Sequence, residues 1–198
     1  MPVLDRLLVL AHRISRAAIW SGGALVLAAA ILVAVDVLLR NVFMVTFGGS
    51  DELAGYAFAI GTTWALSFTL LNRANVRVDA LYAVLPPRFC AWLDIVALIA
   101  LGVFACLLAW HAGVMLATSV SFSARATTPL QTPLWIPQSL WFAGLALFVL
   151  TLIPLLARAG LALLRGDLAT VRRLAGARSI EENAADEIAH TAALKPLE

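Results

Sequence analysis

Residues 19–39 read IWSGGALVLAAAILVAVDVLL, a run of 21 positions broken by few polar side chains, chiefly Ser21 and Asp36. A hydrocarbon core of about 30 Å is crossed by roughly 20 apolar residues rising about 1.5 Å each. The stretch therefore predicts a transmembrane helix. It runs too far past Ala28, Ala29 and Ala30 for the short apolar region of a cleaved signal peptide. Three further runs, at about 53–71, 91–118 and 135–157, repeat the pattern. Together they predict an all-α integral membrane protein, with four transmembrane helices in a domain over 19–165. Composition agrees: of 198 residues, 62% are hydrophobic and 13% charged, against about 25% charged in soluble domains. The mean hydropathy is +0.93.

The connecting segments have characters of their own. Residues 1–18 place Val3, Leu7, Leu10 and Ile14 at helical spacing with Arg6, Arg13 and Arg16 between them, which predicts an amphipathic helix at the membrane surface leading into span one. After that span the chain turns through Gly48 and Gly49. Ser50 is placed to cap the second helix, with Asp51 and Glu52 in its first turn, where the helix dipole favours carboxylates. Between spans two and three, Val78, Leu81, Tyr82 and Leu85 share one helical face before Pro86 and Pro87. This predicts a short interfacial helix carrying Arg77, Asp79 and Tyr82. Span three exceeds a perpendicular crossing, so it is expected to tilt or project. Pro154 predicts a kink in span four. Residues 166–198 read as a charged tail without a core.

Cations give the orientation. Arg6, Arg13 and Arg16 precede span one; Arg73, Arg77 and Arg88 lie between spans two and three; Arg158, Arg165, Arg172, Arg173, Arg178 and Lys195 follow span four. These are twelve of the fourteen cations, and only Arg40 and Arg125 fall in the other two loops. The positive-inside rule then puts both termini in the cytoplasm and the first and third loops outside. The interfacial helix is thereby expected on the cytoplasmic surface. A net charge of +2 is too mild for a nucleic-acid partner; the partner implied by the apolar runs is membrane phospholipid.

Catalytic chemistry is hard to find. Of the three histidines only His111 lies within a span, so paired axial ligands for haem are missing. There is no phosphate-binding glycine loop with its lysine. Cys90 and Cys106 stand sixteen positions apart without redox or metal spacing, and read as small buried hydrophobes. Neither a catalytic nor a metal-ligating set is expected, and the chain does not read as an enzyme.

Subunit contact is the remaining reading. Asp36 and Arg40, four residues apart, share a helix face near the outer surface. They can pair with each other as an anchor, or with Glu52 and a neighbouring subunit. Asp94, one turn into span three, is expected to be solvated or paired near the cytoplasmic interface. Gly55, Ala59 and Thr63, and beside them Ala57, Gly61 and Ala65, form rows of small residues that let helices approach closely in lipid. Trp64 lies beside those rows. In the outward loop 119–137, Arg125, Thr128 and Trp135 are candidates for contact with an external partner.

The order of these features resembles a known family. DVLLRN at 36–41, DELAGYAFAIGTTWALSF at 51–68, NVRVDALYAVLPPR at 75–88 and TPLWIP at 132–137 look like the small membrane subunit of tripartite ATP-independent periplasmic (TRAP) transporters, the DctQ-like family. The resemblance covers roughly residues 15–165. This chain has Ala74 and Asn75 where many relatives carry a histidine, so no histidine role transfers there. The resemblance implies a scaffold in the bacterial inner membrane that braces a large elevator-type membrane subunit. In such a system the large subunit holds the substrate and the sodium ions, and a periplasmic binding protein delivers an organic acid. The rival readings are a self-contained homo-oligomeric transporter or channel and, more remotely, a quinone-linked membrane enzyme.

Overall fold

The computed structural model of the protein describes residues 2–73 and 85–176. Five α-helices account for nearly all of them: α1 Pro2–Phe43, α2 Ser50–Leu71, α3 Pro87–Ser121, α4 Trp135–Leu164 and α5 Leu168–Ala175. No strand occurs among the described residues beyond one isolated bridge between Arg125 and Pro133. The first four helices are long and apolar enough to cross a membrane, and the chain is built as a multi-pass membrane protein. The expected interfacial helix, with Arg77, Asp79 and Tyr82, lies outside the described residues, as does the tail beyond Gly176.

Local chemistry explains most of the boundaries. Pro2 opens α1, where a missing N–H is harmless, and Asp5 in the first turn and Arg40 in the last both suit the helix dipole. No proline interrupts its 42 residues, so the amphipathic start and the first span form one rod of about 63 Å, twice the hydrocarbon thickness. At α2 the expected cap is corrected. Gly49 holds the N-cap position without a side-chain bond, and the Ser50 hydroxyl turns away to a carboxylate on α1. Pro86 is extended, as a residue before proline must be, and Pro87 begins α3. Pro154 lies inside α4, which continues through it.

Helix α4 ends on a glycine motif that sets up α5. Gly166 adopts φ +73, its N–H donates to Leu163 O at 3.0 Å, and the Asp167 N–H donates to Ala162 O at 3.0 Å. This paired closure satisfies the last carbonyls. Asp167 then caps α5, accepting from the Thr170 amide at 3.0 Å and the Thr170 hydroxyl at 2.5 Å. These bonds, the hydroxyl foremost, hold the Asp167 carboxyl below its ordinary value of 3.8. A depressed folded-state pKa stabilises above the unfolded value and is lost as pH falls through the folded one. Helix α5 should therefore stay capped at neutral pH and fray in acid below 3.8. Asp167→Ala should reproduce the fraying at neutral pH. Faster amide exchange at Thr170 and Val171 is the expected result, and unchanged exchange would show that the cap contributes nothing.

The helices pack in the order α1, α2, α4, α3, with α1 also touching α4 and α5 lying against α3 and α4. Between α2 and α3 an apolar groove of roughly 380 Å³ opens over Leu145 and Phe148 of α4. Lipid is as apolar as a protein core, so hydrophobic burial does little to hold such helices together; close packing and hydrogen bonds must. One end is tied by a cluster including Leu8, Leu70, Ala91, Ala159, Val171 and Ala175. An Asp5–Arg158 ion pair joins α1 to α4 there.

Candidate functional site

Two helix crossings use the small residues of α2. At the first, Gly22 of α1 and Gly61 of α2 meet backbone to backbone. A Cβ built on Gly61 would lie 2.6 Å from Val26 Cγ2 and 3.0 Å from Gly22 O, and one built on Gly22 would lie 3.1 Å from Gly61 Cα. Gly61 is buried, as is Ala57. This part of the small-residue row is thus occupied by the chain's own first helix, whereas Gly55 is exposed with open space where a side chain would go.

The second crossing joins α2 to α4. A Cβ on Gly144 would fall 2.5 Å from both Thr63 Oγ1 and Trp64 Cδ1, so glycine lets the α2 side chains lie against the α4 backbone. The Trp64 indole N–H donates to Leu140 O at 2.8 Å. Farther along, the Ser67 and Thr151 hydroxyls, both buried, meet at 3.1 Å. Trp64 is therefore a packing residue between two helices of one chain. Hydrogen bonds of this kind are worth about 0.6–2 kcal/mol each in membranes, and here they repeat along one seam.

Polar side chains gather at the opposite end from α5. Asp36 is 4% exposed, and its carboxylate accepts from the Phe47 amide at 2.7 Å, the Ser50 hydroxyl at 2.8 Å and the Thr46 hydroxyl at 3.1 Å. The Gly48 amide donates in turn to Thr46 Oγ1 at 3.2 Å. Asp36 therefore folds the 44–49 turn back onto α1. No ion pair joins it to Arg40, which is exposed. Beside it, Glu52 accepts from the Tyr56 hydroxyl at 2.8 Å and from the Thr128 hydroxyl of the next loop. Leu130 of that loop sits against Gly49.

The 122–134 loop is itself a small hairpin. Ala126 N–H donates to Thr132 O and Leu134 N–H to Ala124 O, both at 3.0 Å. Of its three candidates for external contact, Thr128 is engaged internally with Glu52. Arg125 is exposed, with Nη1 3.4 Å from Gln131 O, and Trp135 is exposed at the start of α4. His111 is exposed on α3. Of the two expectations for Asp94, solvated or paired, the second holds: it is buried beside Ala91 and Ile95 on α3 and is not without a polar partner. Cys106, expected to be buried, is exposed.

Several contributors escape a reading of the sequence. Gly22 and Gly144, the partners of Gly61 and of Thr63 with Trp64, carry little signal beyond being glycines inside a span, and nothing in the sequence separates Gly22 from its neighbour Gly23, which has open space around it. Thr46, Ser67 and Thr151 look like ordinary span and loop hydroxyls. Among the described residues no three His, Cys, Asp or Glu side chains converge on a point that could hold a metal ion.

What this arrangement can do is hold surfaces in place. The family of tripartite ATP-independent periplasmic transporters, DctQ component, matches residues 29–160 of the chain. No curated protein and no solved structure matches it.

Proposed function

Since the chain belongs to the DctQ component family of tripartite ATP-independent periplasmic transporters, a transporter component family rather than an enzyme family, we propose that it is the small scaffold subunit of such a transporter. In this reading it braces a large elevator-type membrane subunit during sodium-coupled import of an organic acid handed over by a periplasmic binding protein. The carrying observation is the family match over residues 29–160, which takes in the α2–α4 crossing and both polar clusters. The chain lies in the bacterial inner membrane with both termini and the 72–86 connection in the cytoplasm, as twelve cations against two favour.

The architecture supports a fixed brace. A moving carrier needs something stationary to move against, and helices locked by glycine crossings and cross-helix hydrogen bonds slide poorly. Transport sites draw on charges or paired broken helices at mid-membrane, and the Asp36 and Glu52 carboxylates are instead committed to holding loops. Sodium and substrate would then bind the large subunit. Arg40 and Gly55, exposed on α1 and α2, remain open for subunit contact. Arg125 and Trp135 are open toward the binding protein, and phospholipid covers the other apolar faces.

Tagged and expressed with its neighbouring membrane subunit, the chain should retain that subunit through detergent purification. Reconstituted alone, it should take up no organic acid. Uptake by the chain alone would replace the scaffold with a self-contained homo-oligomeric transporter.

A further inference from the structure

Helices α2 and α3 both pack on α4 and leave between them a groove that is apolar along its length and basic at one end. We propose that it holds one anionic phospholipid of the leaflet on the α5 side, with an acyl chain lying along α3 and the phosphate meeting Arg73 and Arg172. The site belongs to this chain alone and does not depend on the scaffold reading.

Charge complementarity selects the headgroup. Arg73 stands three residues past Leu70 of the groove, just beyond the end of α2. Its Nη1 donates to Arg172 O of α5 at 3.4 Å, which brings α5, with exposed Arg172 and Arg173, to the mouth of the groove. The carboxylates at this end are engaged among the described residues: Asp5 with Arg158, Asp167 on the α5 cap, and Asp94 buried and not without a polar partner. Guanidinium groups suit phosphate through their forked donors, and basic pockets between membrane helices take acidic headgroups. Inside the groove, Leu70, Leu98, Ala105 and Leu145 are buried. The Thr69 hydroxyl on its wall donates to Leu66 O at 2.8 Å, within its own helix.

Length selects the tail. From Ala97 to Leu108 the groove follows α3 for eleven residues, about 16 Å at 1.5 Å each, against about 15 Å for half of a hydrocarbon core. Its floor lies at mid-membrane, because Leu145 is ten residues from Trp135 and Phe148 ten from Arg158, about 15 Å each way. The lining stops there, where Phe142 lies against Gly113 and Trp64 reaches Leu140. A partner's transmembrane helix would need a trough through the full thickness. A molecule with one charged head and a tail one leaflet long needs only this one.

Native mass spectrometry tests the site on the full-length chain released from micelles with equal phosphatidylglycerol and phosphatidylcholine. One phosphatidylglycerol should be retained at least about fivefold over phosphatidylcholine. Arg73→Gln with Arg172→Gln should lower that retention about tenfold. Ala97→Trp, which fills the groove from an exposed wall position, should lower it as far with both arginines present. Both variants should keep the wild-type unfolding temperature in lipid-free detergent. In membranes, p-benzoylphenylalanine in place of Ala97 should give lipid adducts on irradiation. Equal retention of the two lipids, or undiminished retention in either variant, would overturn the proposal. So would adducts only with another protein chain.

Discussion

Gly61→Leu is expected to unfold the α1–α2 crossing. A leucine there must displace Val26 and the backbone at Gly22, since even its Cβ would stand 2.6 Å from Val26 Cγ2 and 3.0 Å from Gly22 O. The flexible valine can turn aside, but the carbonyl cannot, so the helices must separate. Overpacking of a close site costs typically about 1–3 kcal/mol, and separation would also forfeit the contacts along the rest of this pair. We expect a loss of at least about 2 kcal/mol, read by thermal or mixed-micelle unfolding of the purified chain. Gly22→Leu should match it. Gly55→Leu, with open space around it, should stay within about 0.5 kcal/mol of wild type. Equal behaviour of the Gly55 and Gly61 variants would refute the crossing. Loss of the large subunit by Gly61→Leu would then follow from a damaged scaffold rather than from a damaged contact face.

Asp36→Ala should free the 44–49 turn while leaving the four spans in place. The substitution strips the acceptor from three donors at once: the Phe47 amide, the Ser50 hydroxyl and the Thr46 hydroxyl. Thr46 in turn positions Gly48, so the loss propagates along the turn. Amide exchange at Phe47 and Gly48 should accelerate at least about tenfold, with little change at Gly61 or Leu145 in the spans. Asp36→Asn should fall between, because the carboxamide keeps one acceptor oxygen but brings an NH2 group toward other donors. Wild-type exchange rates in the alanine variant would mean that the turn is held by something other than the carboxylate.

The two glycine crossings show where sequence reading stops. The row containing Gly61 is visible as small residues four apart, and close approach of another helix follows from it. Which helix approaches does not. Gly22 lies 39 positions away and Gly144 is farther from Thr63, and neither distance leaves a periodic trace. Asp36 is a similar case. Its four-residue spacing to Arg40 suggested a pair along the helix, but the donors reach it from ten to fourteen residues downstream. A returning loop decided the matter, not helical geometry. Asp94 reads as near the interface in the sequence, and the fold buries it.

Local residue patterns settle the solvent of this protein, its four helices long and apolar enough to cross a membrane, and its membership of the DctQ family. Those rest on local quantities: apolar run length set against bilayer thickness, and short motifs in fixed order. Which helix faces are internal emerges from the packing of distant segments. In water a buried face betrays itself by hydrophobic contrast with the exposed one. In a bilayer both faces are apolar, so the periodic signal that would separate them vanishes. Side-chain volume and hydrogen bonding across distant helices then choose the partners, and those choices left Gly61 inside the chain and residues 42–47 outside it.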